Sequence, residues 1–376
     1  MTTASPTAPP VMTRTLETKF SERALDVAIK VFLWTFRIVV VLVVVVGSLA
    51  TLSQGKYSLD QWIHLTVGGL ALGGIYALIA LGYTMVYGIL RMINFAHGDV
   101  FMVGAFAGYF TGTFLNNIKF LNASPLASVI SIILMILVAG FVAVLVSLFV
   151  ERVAYRPLRN APRLVLLISA IGASFVIQYS VRFIVGVGVF AYPTVNFLND
   201  PIDLPVASWL GLKWDDVIVI GSALVMMIGL YLFTMRTRLG TAIRAVSEDA
   251  NAATLMGIDV NRAIVTTFAV GAAMAGGAGV LFGLVFRQIT YFSGFIPGVK
   301  AFTAAVLGGI GNIPGAMIGG MFLGVVESVG PAMFLTGLGV PSPNQLRDVI
   351  AFTLLVLVLI FRPQGIMGER LSRARA

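Results

Sequence analysis

The sequence contains no cysteine and only two histidines, His64 and His97. The first absence excludes disulfides, thiol nucleophiles and Cys-ligated metals, and the second leaves no His-rich metal site. Charge is scarce as well. Asp, Glu, Lys and Arg make up 11% of 376 residues, against 58% hydrophobic side chains. At a mean hydropathy of +0.97, too few polar groups remain to cover a water-soluble surface. The chain also lacks a G-x-x-x-x-G-K-[ST] loop for nucleotide phosphates, an HExxH pair and a paired-carboxylate motif. It therefore offers no catalytic residues, no metal site and no cofactor site of its own.

What it does contain is a series of apolar runs, near 31–52, 64–90, 100–118, 126–150, 164–187, 217–235, 264–286 and 347–361. Most reach the roughly 20 residues a membrane-crossing helix needs. The expected fold is all-α, a polytopic integral membrane protein with about 8 to 10 transmembrane helices. The polar stretch 1–30, rich in Thr, Pro and Ser, reads as a disordered leader. It is too long for a signal peptide, so residues 31–59 are expected to form an uncleaved extra helix and short loop. The main domain then spans 60–368, with a basic tail over 369–376.

The formal charge of +9 is spread over short loops, which argues against nucleic-acid binding and for membrane topology. Arg152, Arg156, Arg159 and Arg163 mark one cytoplasmic segment, and Arg236, Arg238, Arg244 and Arg262 mark another. Asp200, Asp203, Asp215 and Asp216 suit an outside loop. The basic leader and tail then both lie in the cytoplasm, so the number of crossings is even. That parity requires residues 301–335 to contribute none or two. Pro314 lacks a backbone donor and sits among glycines, so a broken or re-entrant helix pair is expected, interrupted at 311–315. Gly309, Gly311, Asn312 and Pro314 are pathway candidates, because interrupted helices often mark transporter binding sites. Close helix packing is the competing reading.

Polar residues within apolar surroundings supply the remaining candidates. The hexapeptide NFAHGD places Asn94, His97 and Asp99 between the second and third helices. A turn at the cytoplasmic end is expected there, with Gly98 ending one helix, Asp99 capping the next and Asn94 satisfying a backbone group. An inner gate built from the same residues is the alternative. Gln178 and Arg182, four apart, share a helix face. Arg182 suits the outer interface or a substrate carboxylate, and Glu327 an interface or the pathway. Lys300 suits a topological anchor, with an anionic partner at the outer mouth as the alternative. In the long cytoplasmic segment from Arg236 to Arg262, Ser247 is expected to cap a short helix carrying Glu248, Asp249 and Asn251, which Gly257 ends. Such a helix is either a solvated loop element or an insert for a partner's groove.

Several long blocks, GGIYALIALGYTMVYGILRMINFAHGD, ERVAYRPLR, LISAIGAS, the 239–258 stretch and KAFTAAVLGGIGNIPGAMIGG, closely resemble the permease subunit of bacterial branched-chain amino-acid ABC importers. The resemblance runs from about 60 to 368 and leaves out residues 1–59. AVSEDANAATLMGIDVNRAI also resembles the corresponding loop of monosaccharide ABC permeases, so that loop marks the wider superfamily. It departs from the EAA pattern of many importers, because Gly257 lies further from Glu248 than that pattern has it. The resemblance implies a coupling role for Arg244, Glu248, Asp249, Asn251 and Gly257. It also implies a second homologous permease subunit, two cytoplasmic ATPase subunits that bind ATP and Mg, a periplasmic solute-binding protein, and a place in the bacterial inner membrane. Leucine-type amino acids lead as substrates, with urea or short amides as the alternative. An ion-coupled secondary transporter is the rival class, disfavoured by the shortage of carboxylates within the spans.

Overall fold

The computed structural model describes residues 11–159, 161–199, 202, 213–362 and 364–368, with side chains from residue 25 onward except at 163 and 199. The basic tail 369–376 and the expected outside-loop residues Asp200 and Asp203 lie outside the described residues. The chain divides into two units, Met1–Lys56 with Ala332–Pro343, and Tyr57–Pro331 with Asn344–Ala376.

In the first unit, helix α1 (Val11–Gln54) starts well before residue 31, so the leader expected to be disordered to residue 30 is helical from Val11. No Gly or Pro interrupts the sequence between Val11 and Val46, so nothing stops the helix from running continuously. The Gly337 N–H donates to Thr51 Oγ1 at 2.8 Å, and Gln54 Nε2 donates to the Gly337 carbonyl at 3.2 Å.

The second unit holds α2 (Leu59–Leu90), α3 (His97–Asn117), α4 (Pro125–Val150), α5 (Arg163–Val185), α6 (Trp214–Arg236), α7 (Arg238–Glu248), α8 (Ala250–Leu255), α9 (Val260–Phe286), α10 (Phe295–Gly308), α11 (Ile313–Gly330) and α12 (Arg347–Phe361). Two-residue strands β1 (Phe190–Ala191) and β2 (Gln288–Ile289) pair antiparallel, with Phe190 opposite Ile289. Among the described residues, eight helical stretches are long and apolar enough to cross a membrane. α3 is not one of them, and α10 has only 14 residues, about 21 Å of helix, short of the roughly 30 Å hydrocarbon core.

Local sequence sets the helix ends. Ser58 and Gln61 form a reciprocal capping box at α2, Ser124 caps α4 ahead of Pro125, and Asp259 accepts from the Arg262 N–H at α9. The expected break near 311–315 is present. α10 stops at Gly308, Gly309 and Gly311 take φ of 105° and 98°, and Asn312 caps α11 through the Gly315 N–H at 3.1 Å. The left-handed region there suits residues without a Cβ.

α2 is buried through most of its length, and the small residues on its faces explain why. A Cβ on Gly73 would lie 2.8 Å from Met321 Cα, and one on Gly320 or Gly324 would overlap the backbone of Ala77 or Gly73. Helices α2 and α11 therefore touch backbone to backbone. In lipid, where apolar side chains gain little by leaving one apolar solvent for another, such close packing is a principal source of association.

This seam sets an expected outcome. Gly320→Ala should lower the thermal stability of the purified chain, equivalent to roughly 1–3 kcal/mol of overpacking. Gly229→Ala adds a methyl that meets nothing within 4 Å and should be neutral or gain up to about 1 kcal/mol of helix propensity. Matching midpoints for the two variants in a detergent melt would contradict the packing argument.

Candidate functional site

The polar hexapeptide does not form a surface turn. α2 ends with Arg91 in the left-handed region at φ 52°, its N–H bonded to the Tyr87 carbonyl at 2.8 Å. The chain then turns back alongside α2, and His97 packs on Gly82, where an added Cβ would overlap its ring. Gly82 lies eight residues before Leu90, about 12 Å back along the helix. Asn94, His97 and Asp99 are all at most 3% exposed.

Each assignment made for this stretch changes accordingly. Gly98 ends no helix but lies in the first turn of α3, where a Cβ would fall 2.7 Å from the Gly294 carbonyl oxygen and 3.1 Å from Gly298 Cα. Asp99 is not a cap, since α3 begins at His97 with Ala96 before it and no side-chain cap. Its Oδ2 accepts a hydrogen bond from Ser174 on α5, and its Oδ1 is buried without a partner. Asn94 Oδ1 accepts from the Tyr155 hydroxyl at 2.5 Å rather than from the backbone. The His97 ring stands edge-on to Tyr83, with centroids 5.0 Å apart, and its Nε2 is buried and unpartnered.

A cavity of about 450 Å³ opens between α2, α3, α5 and α10. Its walls are aromatic and aliphatic, including Tyr83, Phe95, Ile171, Phe175, Phe292, Phe295 and Val299, with the backbone of Gly98, Gly294 and Gly298. Three polar side chains besides Tyr83 face it, Asp99, Ser174 and Gln178. On α5, Ile171, Ser174, Phe175 and Gln178 follow the i, i+3, i+4, i+7 spacing of one helix face. The sequence reading found Asp99 and Gln178 but missed Ser174 and the aromatic walls. The periodicity of LISAIGAS with Gln178 was the available signal.

The other pathway candidates lie elsewhere. Arg182 lies over the rings of Tyr179 and Tyr291, at 5.7 and 5.5 Å. The turn holding Gly309, Gly311, Asn312 and Pro314 packs on the 364–368 segment. The Ile366 and Met367 N–H groups donate to the carbonyls of Leu307 and Gly308, and Asn312 Nδ2 donates to that of Met367. None of these residues lines the cavity.

Glu327 and Lys300 are buried against each other rather than facing the surroundings of the chain. Lys300 Nζ on α10 meets Glu327 Oε1 on α11 at 2.6 Å and Asp348 Oδ1 on α12 at 2.7 Å. The Tyr76 hydroxyl on α2 donates to the same Glu327 oxygen at 3.3 Å. Lys300 and Glu327 are at most 4% exposed. The cluster ties α2, α10, α11 and α12 together, one residue beyond Val299 in the cavity wall.

On the loop side, Thr237 caps α7, and Ser247 caps nothing, its hydroxyl bonding back to the Arg244 carbonyl at 2.7 Å. The cap of the following short helix is Asp249, whose Oδ1 accepts from Asn251 and Ala252 N–H at 2.8 and 3.0 Å. Gly257, at φ 81°, turns the chain toward α9. Leu255 and Met256 just before it are 89% and 83% exposed. Arg91 Nη2 donates to the Ser247 carbonyl at 2.8 Å, joining this loop to the end of α2.

Eight helical stretches among the described residues that are long and apolar enough to cross a membrane, with a mostly apolar, partly open cavity between four helices, define a polytopic membrane protein. The sequence profile of the family described as branched-chain amino acid transport system / permease component matches residues 65–359, and the chain belongs to that family. It is 43% identical over 313 residues to the high-affinity branched-chain amino acid transport system permease protein BraD of Pseudomonas aeruginosa, covering 82% of this chain and 96% of that one. It is 40% identical over 332 residues to the corresponding protein LivH of Escherichia coli K12, covering 84% and 97%. A probable branched-chain amino acid transport permease protein LivM of Methanocaldococcus jannaschii is 23% identical over 335 residues, covering 79% and 91%. The chain is thus a multi-pass permease subunit of an ABC importer, a transporter component and not an enzyme.

The charge cluster gives a test of what holds the cavity wall. Lys300→Met strands a buried carboxylate and should cost about 3–5 kcal/mol, whereas Lys300→Met with Glu327→Gln should recover more than half of that. Detergent melts of the single and double variants measure it. A double variant no more stable than the single would show that the pair is not the tie.

Proposed function

We propose that this chain forms one half of the membrane passage of an importer for branched-chain amino acids in the bacterial inner membrane, with both termini in the cytoplasm. A second homologous permease subunit forms the other half. A periplasmic binding protein delivers the solute, and two cytoplasmic ATPase subunits, which hold ATP and Mg, drive the cycle. The observation that carries this reading is the cavity. Its volume lies in the range of small-molecule sites, its aromatic and aliphatic walls suit a branched hydrocarbon side chain, and its few polar groups suit a small polar head. The relatives BraD and LivH, named for branched-chain amino acid transport, point the same way.

On this reading Arg244, Glu248, Asp249, Asn251 and Gly257 belong to the element that receives the ATPase stroke. Leu255 and Met256 supply the apolar contact, since two large side chains exposed beside a capped helix suit insertion into a partner's groove. ATPase closure would then move the permease pair by rigid-body rocking.

Two outcomes test this. The chain reconstituted alone should accumulate no solute, while the complete importer should accumulate leucine, isoleucine and valine only with ATP. Uptake of urea or short amides in preference to these would overturn the substrate assignment, and ion-driven uptake by the lone chain would overturn the mechanism. Separately, Leu255→Asp with Met256→Asp should leave membrane insertion intact but reduce co-purification of the ATPase subunits at least tenfold. Unchanged co-purification would return these residues to an ordinary solvated loop.

A further inference from the structure

We propose that Asp99 is the passage's receptor for the ammonium group of the transported amino acid, an inference that rests on the reading of this cavity as the solute path. Asp99 is 3% exposed, yet it lines the cavity, and only one of its two oxygens is bonded within the chain. Ser174 holds Oδ2, which fixes the carboxylate plane, and Oδ1 is left without a partner. A buried carboxylate oxygen without a donor is costly. Its location explains the arrangement, because the missing donor is one that arrives and leaves.

The surrounding groups favour a cationic head on a small apolar body. Asp99 sits in the first turn of α3, where the helix dipole favours negative charge. Among the described residues, none that lines the cavity is a Lys, Arg or His that would neutralise it. Gln178 offers an amide donor and acceptor from the same α5 face as Ser174, suited to the solute's carboxylate. The aromatic walls take the side chain. One carboxylate in a low-dielectric wall attracts a cation more strongly than it would in water, and a solute without a cation leaves it unpaired.

The absence of cysteine from this chain allows a direct test in the assembled importer in membranes, with any cysteines of the partner subunits replaced by serine. Gln178→Cys introduces a single thiol into the cavity, and its reaction with an ammonium-bearing and a sulfonate-bearing thiosulfonate is compared. The cationic reagent should be favoured at least tenfold, and adding Asp99→Asn should abolish that preference. Phe175→Cys is a second reporter on the same face. Equal reactivity of both reagents at both reporters, with Asp99 present, would overturn the proposal. Asp99→Asn should also cut the maximal uptake rate at least tenfold while leaving the half-saturating leucine concentration unchanged. Normal maximal uptake by that variant would overturn the proposal too. Replacing sodium with choline separates the solute's ammonium from an inorganic cation, and sodium-dependent uptake would count against the proposal. If the intact importer carried no branched-chain amino acid, the functional reading would fail, whereas the thiol comparison would still judge the carboxylate.

Discussion

The contact of Gly98 with Gly294 and Gly298 governs the geometry of the cavity. Backbone meets backbone there without side chains between them, which brings the first turns of α3 and α10 together inside the bundle. Non-helical backbone at membrane depth is tolerated only where protein buries it or a cavity solvates it. The segment 91–96 turns back along α2, where His97 packs on Gly82, and Phe292 and Gly294 of the 290–294 segment line the cavity. Asp99 therefore enters the wall rather than the surface.

Around that contact the structure is held by two kinds of force. Small-residue seams such as α2 against α11 give close packing where lipid removes the usual hydrophobic gain. The Lys300 cluster adds a buried ion pair, because separating Lys300 from Glu327 would leave a charge out of water without a partner. The two meet at α10, where Val299 faces the cavity and Lys300 faces α11 and α12.

Much of the fold was legible in the sequence because membrane helices announce themselves by length, and the break near Pro314 by a missing backbone donor set among glycines. The site was less so. The pattern Gly98-Asp99 before an apolar run reads equally as a capped turn or a buried helix start, and local sequence carries nothing to separate them. Lys300 and Glu327 lie 27 residues apart, so their pairing is a tertiary fact without a periodic signal. Ser247 offered a plausible cap, but Asp249, two residues on, competes for the same role and takes it for α8. Ser174 was hidden for the opposite reason, since a serine among small residues on an apolar helix usually reports only close packing. The outer-loop acids Asp200 and Asp203 and the basic tail fall outside the described residues.

The most direct measurement is an electron cryomicroscopy structure of the complete importer holding leucine between its permease subunits. Solute density is expected in the cavity between α3, α5 and α10, with its ammonium nitrogen about 3 Å from Asp99 Oδ1. Leucine resolved along a path that leaves this cavity empty and Asp99 without a new partner would contradict it.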